Sequence, residues 1–448
     1  MFERIKKRIH QSINPTVIIV FSFLIVILIG SVLLSLPIAS EDRQPTPYLD
    51  CLFTATSATC VTGLIVVETG DHWSLFGELV IISLIQIGGL GFITLATFFL
   101  SFMSRKTGLK NMMLAQESIS SFSLQETLPL VRQIIKMVFI VEFTGAVLLS
   151  IAFVPQFGPK GIYFGFFHAI SAFCNAGFDV LGGFKSMSPY NGNPLILYTI
   201  DLLIIIGGLG FIVWKDLIDF RKTRRLMIHT RIVLIITAIL LVFGSVFIYF
   251  VEYSNSLSHL PDHEKVNASI FLSVNARTAG YASTNLDSMH TVTKAFVSML
   301  MFIGGASGST AGGIKVNTLG IMIIAIISVI KSNNETILQK KRIPNSIVLK
   351  AFSVTLLAGA LVSTVTMLIN LTQPDVSLIN ALFEASSGFA TVGLSTGITP
   401  HLNSINKLLL ILSMFIGRVG PISFALAFSL IKKTPHNTIY PDGKFIVG

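Results

Sequence analysis

Four short segments carry the residues best suited to holding a bare cation: TCVTGL (59–64), FCNAGF (173–178), ARTAGY (276–281) and ATVGL (390–394). Each contains one glycine, Gly63, Gly177, Gly280 or Gly393, preceded by small or β-branched residues. The chemistry open to them is that of the peptide carbonyl. Oxygens from several extended strands around one axis can replace the hydration shell of a monovalent cation. The glycine supplies a backbone conformation that a side chain would obstruct. A single glycine after an apolar run is ordinarily a helix C-cap. Here four recur at matching positions, each after an apolar stretch of about 10 to 15 residues, too short to cross a bilayer. Capping alone does not explain that recurrence.

A second motif follows each segment at 24 to 30 residues, counted from glycine to glycine: IGGLGF (87–92), IGGLGF (206–211), IGGASG (303–308) and IGRVGP (416–421). The third copy extends into GGASGSTAGGIK (304–315), which interrupts an otherwise apolar run. Gly304, Gly305, Ala306, Ser307, Gly308, Ser309, Thr310, Ala311, Gly312, Gly313 and Lys315 are a poor membrane helix, because glycine costs about 1 kcal/mol against alanine. They suit a non-helical loop lining a polar path, the setting in which such backbone survives at membrane depth. Close helix packing through small residues accounts for Gly88, Gly89 and Gly91 but not for so long a run. GSTAGGIK resembles a phosphate-binding loop, yet Ile314 stands where that motif needs lysine, and no strand precedes it. No nucleotide is expected on this chain. In the fourth copy Arg418 replaces a glycine, and an intramembrane arginine is a functional candidate by default. Its options are carbonyls of the loop or an ion pair with Glu384.

The elements that must position these residues follow from hydropathy. The 448-residue chain is 52% hydrophobic and 12% charged, about half the charge of a soluble domain. Its net charge of +10 falls between apolar runs rather than on a basic face, so nucleic acid is not an expected partner and the lipid bilayer is. Runs of spanning length lie near 16–37, 75–103, 130–154, 194–214, 232–251, 295–330, 346–371 and 407–431. The first is too long for a signal-peptide core. Arg4, Lys6, Lys7 and Arg8 precede it; Arg105, Lys106 and Lys110, then Arg221, Lys222, Arg224 and Arg225, then Lys331, Lys340, Lys341 and Arg342, then Lys432 and Lys433 follow every second run. Positive charge marks the cytoplasmic side, so both termini, 1–15 and 433–448, are expected there.

The expectation is therefore an all-α polytopic membrane protein of four helix–pore loop–helix repeats with pseudo-fourfold symmetry. They are 16–104, 130–220, 231–331 with its second helix broken, and 346–432. Eight transmembrane helices and four re-entrant pore helices result. Cys51, Cys60 and Cys174 lack metal-like spacing and are read as apolar filler. Arg277 is expected to brace a pore helix, and Asp201 and Glu142 to make structural hydrogen bonds. No nucleophile–base pair or pair of acids suggests an enzyme.

This plan resembles the Trk/Ktr/HKT potassium-transporter superfamily over essentially the whole chain. Starting at the first repeat without a soluble domain, it is most similar to the membrane subunits of bacterial Ktr systems. The resemblance implies a selectivity filter of carbonyls from Val61, Thr62 and Gly63; Asn175, Ala176 and Gly177; Thr278, Ala279 and Gly280; and Thr391, Val392 and Gly393. It implies that potassium is the transported ion, that some members respond to sodium, and that the 304–315 loop blocks the path, with Arg418 beside it. It further implies a homodimer in the bacterial plasma membrane, regulated by a cytosolic nucleotide-binding ring. In the plant branch serine at the first filter glycine accompanies sodium selectivity, so Gly63 favours potassium. The alternative is an ion-coupled secondary transporter of sodium or a small solute, for which inverted repeats would be expected; the repeats here run parallel.

Overall fold

The computed structural model describes residues 15–91, 116, 124–332, 335–339 and 341–428. The N-terminal basic residues, Arg105, Lys106, Lys110, Lys340, Lys432, Lys433 and both terminal segments beyond these limits lie outside the described residues.

Four repeats follow one another. The first comprises α1 (Pro15–Leu34), the pore helix α2 (Tyr48–Cys60) and α3 (Leu75–Leu90). The second comprises α4 (Leu124–Phe157), the pore helix α5 (Lys160–Phe173), α6 (Pro194–Leu209) and α7 (Phe211–Thr223). In the third, α8 (Ile228–Glu252) and the pore helix α9 (Asp262–Asn275) precede α10 (Thr291–Phe302) and α11 (Val316–Ile330). The fourth has α12 (Asn345–Thr372), the pore helix α13 (Leu378–Ala390), α14 (Ser404–Val419) and α15 (Pro421–Phe428). A two-residue hairpin, Ile337–Leu338 with Lys341–Arg342, is the one sheet among the described residues.

The expected all-α polytopic architecture is present. Each repeat opens with an apolar helix long enough to cross a membrane: α1, α4, α8 and α12. The pore helices are 13 or 14 residues long, about 20 Å at 1.5 Å per residue, and so reach only part-way through a hydrocarbon core of about 30 Å.

The second helices differ from the continuous spans that hydropathy suggested at 75–103, 194–214 and 407–431. Each stops at the last glycine of its motif: Gly91, Gly210 and Gly420, with φ of 79°, 89° and 93°. Apolar flanks set hydropathy, but they cannot carry a helix through a residue whose φ lies outside the right-handed region. After Gly210 the chain turns by 95° into α7. In the third repeat the interruption widens to the stretch between α10 and α11, with Gly308 at φ 70°.

Each second helix packs on the next pore helix around the bundle, and three also pack on their own: α3 on α2 and α5, α6 on α5 and α9, α10 on α13, and α14 on α13 and α2. The last contact closes the circle, and Lys407 of α14 pairs with Asp50 of α2 at 2.7 Å across it. In repeats 1, 2 and 4 the first glycine of the motif permits this approach. A Cβ on Gly88, Gly207 or Gly417 would collide with the carbonyl of Thr59, Phe173 or Phe389, respectively. These are backbone atoms that cannot swing aside.

Two glycine substitutions should therefore behave oppositely. Gly417→Ala must push α14 off the pore helix and is expected to cost about 1–3 kcal/mol, the scale of overpacking. Gly359→Ala meets nothing within 4 Å and should gain about 0.5–1 kcal/mol from helix propensity. Thermal unfolding of the detergent-solubilised protein reads both. A Gly417→Ala protein as stable as wild type would contradict the packing described.

Candidate functional site

The four glycine-containing segments converge. Added to Gly63, a Cβ would strike the carbonyl of Ala176; on Gly177, that of Ala279; on Gly280, that of Val392; and on Gly393, that of Thr62. In each case the neighbouring glycine's Cα lies only 2.9–3.2 Å from the hypothetical atom. Repeat 1 touches 2, 2 touches 3, 3 touches 4 and 4 touches 1. The segments form a closed ring of extended backbone, and no side chain fits at the glycine positions.

Two left-handed residues per segment shape the ring. Val61, Asn175, Thr278 and Thr391 have φ of 59°, 61°, 70° and 52°, and the glycines two residues on have φ of 92°, 69°, 81° and 95°. Three of the four are β-branched, a type that is uncommon and costly in this region, so their recurrence at matching positions shows a conformation imposed by the surroundings. The pore helices impose it. Thr62 N donates to the Ser57 carbonyl at 2.8 Å, Ala176 N to Ser171 at 2.7 Å, Ala279 N to Asn275 at 3.0 Å and Val392 N to Ser387 at 2.8 Å. Side chains add to this: Gly63 N donates to Ser57 Oγ and Gly393 N to Ser387 Oγ, both at 3.0 Å, Ser171 Oγ donates to the Phe178 carbonyl at 2.8 Å, and Tyr281 N donates to Asn275 Oδ1 at 3.1 Å. With these amides turned onto the pore helices, the carbonyls of the ring residues are left without a hydrogen-bond donor among the described residues. Buried hydroxyls of Thr62, Thr278 and Thr391 likewise have no partner among the described residues.

Sequence reading missed Ser57, Ser171 and Ser387. Each stands six residues before its ring glycine, with Val274 and the adjacent Asn275 at the corresponding place in repeat 3. That spacing was visible and could have found them.

On the side where the pore helices begin, a cavity of about 330 Å³ is lined by all four ring glycines together with Glu68 and Asp179. Glu68 Oε2 accepts from Phe184 N at 3.2 Å, and nearby Asp71 Oδ2 accepts from Gly183 N at 2.8 Å. Burial, reinforced by Asp179 and Asp71, raises the Glu68 pKa to about 7. Burial also raises that of Asp179, to about 6.

On the opposite side a second cavity, of about 260 Å³, is lined by Gly308, Ser309, Ala311, Lys315 and Arg418. The 304–315 loop lies between this cavity and the ring. Thr310 Oγ1 donates to Asn175 Oδ1 at 2.9 Å and to the Phe173 carbonyl at 3.2 Å, and a Cβ on Gly312 would meet Thr391. Neighbouring helices hold the loop. Ala306 N donates to the Gly208 carbonyl at 2.9 Å, Thr310 N to Gly207 at 3.4 Å, and Phe211 N to Gly308 at 2.9 Å. Its ends are joined by Gly304 N donating to the Ile314 carbonyl at 2.9 Å. Lys315 Nζ donates back to the Ala311 carbonyl at 2.6 Å.

Arg418 takes the first of its two options. Its guanidinium donates to the carbonyls of Thr310 in the loop and of Gly88 and Gly89 in repeat 1. Burying an arginine in a membrane helix costs about 2.5–3.5 kcal/mol on insertion scales. Hydrogen bonds to a charged group return about 1.5–3 kcal/mol each, so three carbonyls suffice without a carboxylate. Glu384 is occupied elsewhere, accepting from Ser395, Thr396 and Thr399 beyond the fourth ring glycine. The suggested Arg418–Glu384 ion pair is absent.

Arg277 does not brace its own pore helix. It reaches the Gly304 carbonyl at 3.0 Å and the Thr237 carbonyl at 3.4 Å, tying the loop's first residue to α8. Glu142 accepts from Gln86 Nε2 at 3.1 Å, an interhelical bond of the kind expected. Asp201 is buried with neither oxygen bonded among the described residues, contrary to the structural hydrogen bond expected of it.

Residues 3–439 match the TrkH family, described as cation transport protein. The chain is 38% identical to Ktr system potassium uptake protein B of Bacillus subtilis, over 97% of each chain. It is 37% identical to potassium/sodium uptake protein NtpJ of Enterococcus hirae, over 99% of each. The crystal structure of the potassium transporter TrkH from Vibrio parahaemolyticus matches with a TM-score of 0.72 at 17% identity, covering 91% of this chain and 85% of that one. Four repeats closing a ring of glycine backbones, in a chain that aligns end to end with these relatives, leave one conclusion: it belongs to the TrkH family of cation transport proteins.

Proposed function

We propose that this protein takes up potassium across the bacterial plasma membrane through the glycine ring, which acts as a selectivity filter. The observation that carries the reading is the closure of the ring, with each glycine backbone packed against the next. Carbonyls of Val61, Thr62 and Gly63 and their counterparts at 175–177, 278–280 and 391–393 replace the ion's water. The acidic cavity faces outside and draws cations in. Inward movement is driven by the membrane potential, about 2.3 kcal/mol per charge per 100 mV. The named uptake activities of the relatives, potassium for the Bacillus protein and potassium/sodium for the Enterococcus one, support the same ion class.

The 304–315 loop is the gate. It lies directly beneath the ring, and its hydrogen bonds come from α6, α7 and α14, whose displacement would release it. Arg418 anchors the loop and places positive charge in the path. Lys315 adds to that charge. Opening falls to a partner on the cytoplasmic face, a nucleotide-binding ring acting on a homodimer of this chain, a reading supported by the Ktr system membership named for the relatives.

Three outcomes test this function. Expression in a bacterium lacking potassium uptake, with and without a ring partner, should restore growth in low potassium. Gly63→Ser or Gly393→Ser should retain protein but lose discrimination against sodium; failure of wild type under both conditions refutes the reading.

Deleting residues 306–312 should raise partner-independent rubidium flux in vesicles about tenfold, the scale of one or two lost hydrogen bonds. Arg418→Gln should raise it less. Unchanged flux in a well-folded deletion removes the loop from gating.

The outer acids make uptake pH-dependent. Their ionised forms attract cations, so half-saturating potassium should rise as pH falls through about 7, where Glu68 protonates, and again through about 6 with Asp179. Losing both charges should cost about fivefold in apparent affinity, at roughly 0.5 kcal/mol per charge near water's dielectric. Glu68→Gln should abolish the upper step and leave the lower one.

A further inference from the structure

We propose that α7 binds anionic phospholipid headgroups on the cytoplasmic leaflet and that this engagement holds the gating loop closed. The 95° turn at Gly210 lays α7 across the bundle rather than along it. Trp214 Nε1 donates across the bend to the Ile206 carbonyl at 2.8 Å, so the turn is a held feature. One side of α7 is buried through Phe211, Ile212, Val213 and Asp216. Toward its end Ile218 and Phe220 are exposed, at 44% and 43%, and are followed by exposed Arg221, Lys222, Arg224 and Arg225.

The register joins these groups. Ile218 lies four residues before Lys222, so an apolar side chain and a cation share a helix face, while Arg224, at φ 49°, ends the helix. That is the composition of a helix resting at a lipid headgroup boundary. Neither helix dipole nor membrane topology requires the apolar members. None of the four cations pairs with a carboxylate among the described residues. Asp216, the carboxylate on the buried side, is engaged by Met227 N at 2.8 Å. A cluster of unpaired basic residues beside a membrane attracts anionic lipid.

What makes this contact consequential is the first residue of α7. Phe211 N holds the Gly308 carbonyl, and the residues just before the bend, Gly207 and Gly208, accept from Thr310 and Ala306. Fixing α7 on the leaflet fixes the Phe211 attachment directly and holds the bend beside the two made by α6. This part of the inference rests on the loop being the gate; the lipid contact itself does not.

The test uses the whole protein without its partner, in vesicles of phosphatidylcholine alone or with about one-third phosphatidylglycerol. Binding is read by quenching of tryptophan with brominated lipid. Trp214 is one of two tryptophans, and buried Trp73 on the other face is common to all samples. Brominated phosphatidylglycerol should quench about twofold more than brominated phosphatidylcholine. The excess should vanish in Arg221→Gln/Lys222→Gln/Arg224→Gln/Arg225→Gln, while added inorganic phosphate changes nothing. Rubidium flux should fall about fivefold with phosphatidylglycerol in wild type and not in that variant, the scale expected for a few basic residues near a charged surface.

Equal quenching by the two lipids overturns the lipid site. So does a four-residue variant that keeps its lipid selectivity, because the cations would then not form the site. Selective quenching with lipid-independent flux overturns the coupling. Flux indifferent to deletion of 306–312 would instead refute the gate, while quenching still decides the lipid contact.

Discussion

Every amide buried at the depth of a bilayer must find a partner, and this constraint organises the rest of the structure. A helix meets it internally. The four ring segments cannot, because an extended strand leaves its amides and carbonyls unpaired. Their amides are satisfied by the pore helices behind them, through the carbonyls of Ser57, Ser171, Asn275 and Ser387. The left-handed conformations at Val61, Asn175, Thr278 and Thr391 are the geometric consequence. Strain at these residues is offset by bonds that no other placement would supply, and acceptors without donors are left toward one another across four repeats.

The same constraint explains where glycine is required. At the ring and at the crossings of second helices with pore helices, backbone meets backbone, and a methyl group has nowhere to go. At Gly91, Gly210 and Gly420 the reason is different: positive φ ends a helix that hydropathy alone would continue. The opened third helix is therefore the extreme of a break common to all four repeats. The 304–315 insertion converts a bend into a loop whose amides are satisfied by the neighbouring bends.

Much of this was legible in the sequence. Repeats, pore helices and ring glycines were readable because each rests on residue types that local physics restricts: apolar runs of set length and glycine where a side chain cannot fit. The breaks in the second helices were not. IGGLGF sits in uniformly apolar surroundings, and nothing in its composition separates a packing glycine such as Gly88 from a helix-ending one such as Gly91. Long-range polar partners were harder still. Arg277 was assigned to its own pore helix, yet it reaches Gly304, 27 residues away, and Arg418 reaches Gly88, 330 residues away. Hydropathy and spacing describe one repeat at a time, whereas these bonds exist only once four repeats close.

Charge completes the logic. The cavity on the pore-helix side holds carboxylates, Glu68 and Asp179, and the cavity on the loop side holds cations, Lys315 and Arg418. Carboxylates attract a monovalent cation on the one side, and cationic side chains repel it on the other. The acceptors that the ring itself offers are neutral carbonyls, a kind of ligand that can hold a monovalent cation weakly enough to release it. The arginine's hydrogen bonds then matter twice. They satisfy carbonyls of the loop and of α3 that the helix breaks expose, and they neutralise the cost of a buried charge without a carboxylate partner. A paired Glu384 would have cancelled that charge. Because Glu384 is instead committed to Ser395, Thr396 and Thr399, the positive potential beneath the ring survives. Moving the loop therefore also moves the hydrogen-bond acceptors that keep Arg418 in place.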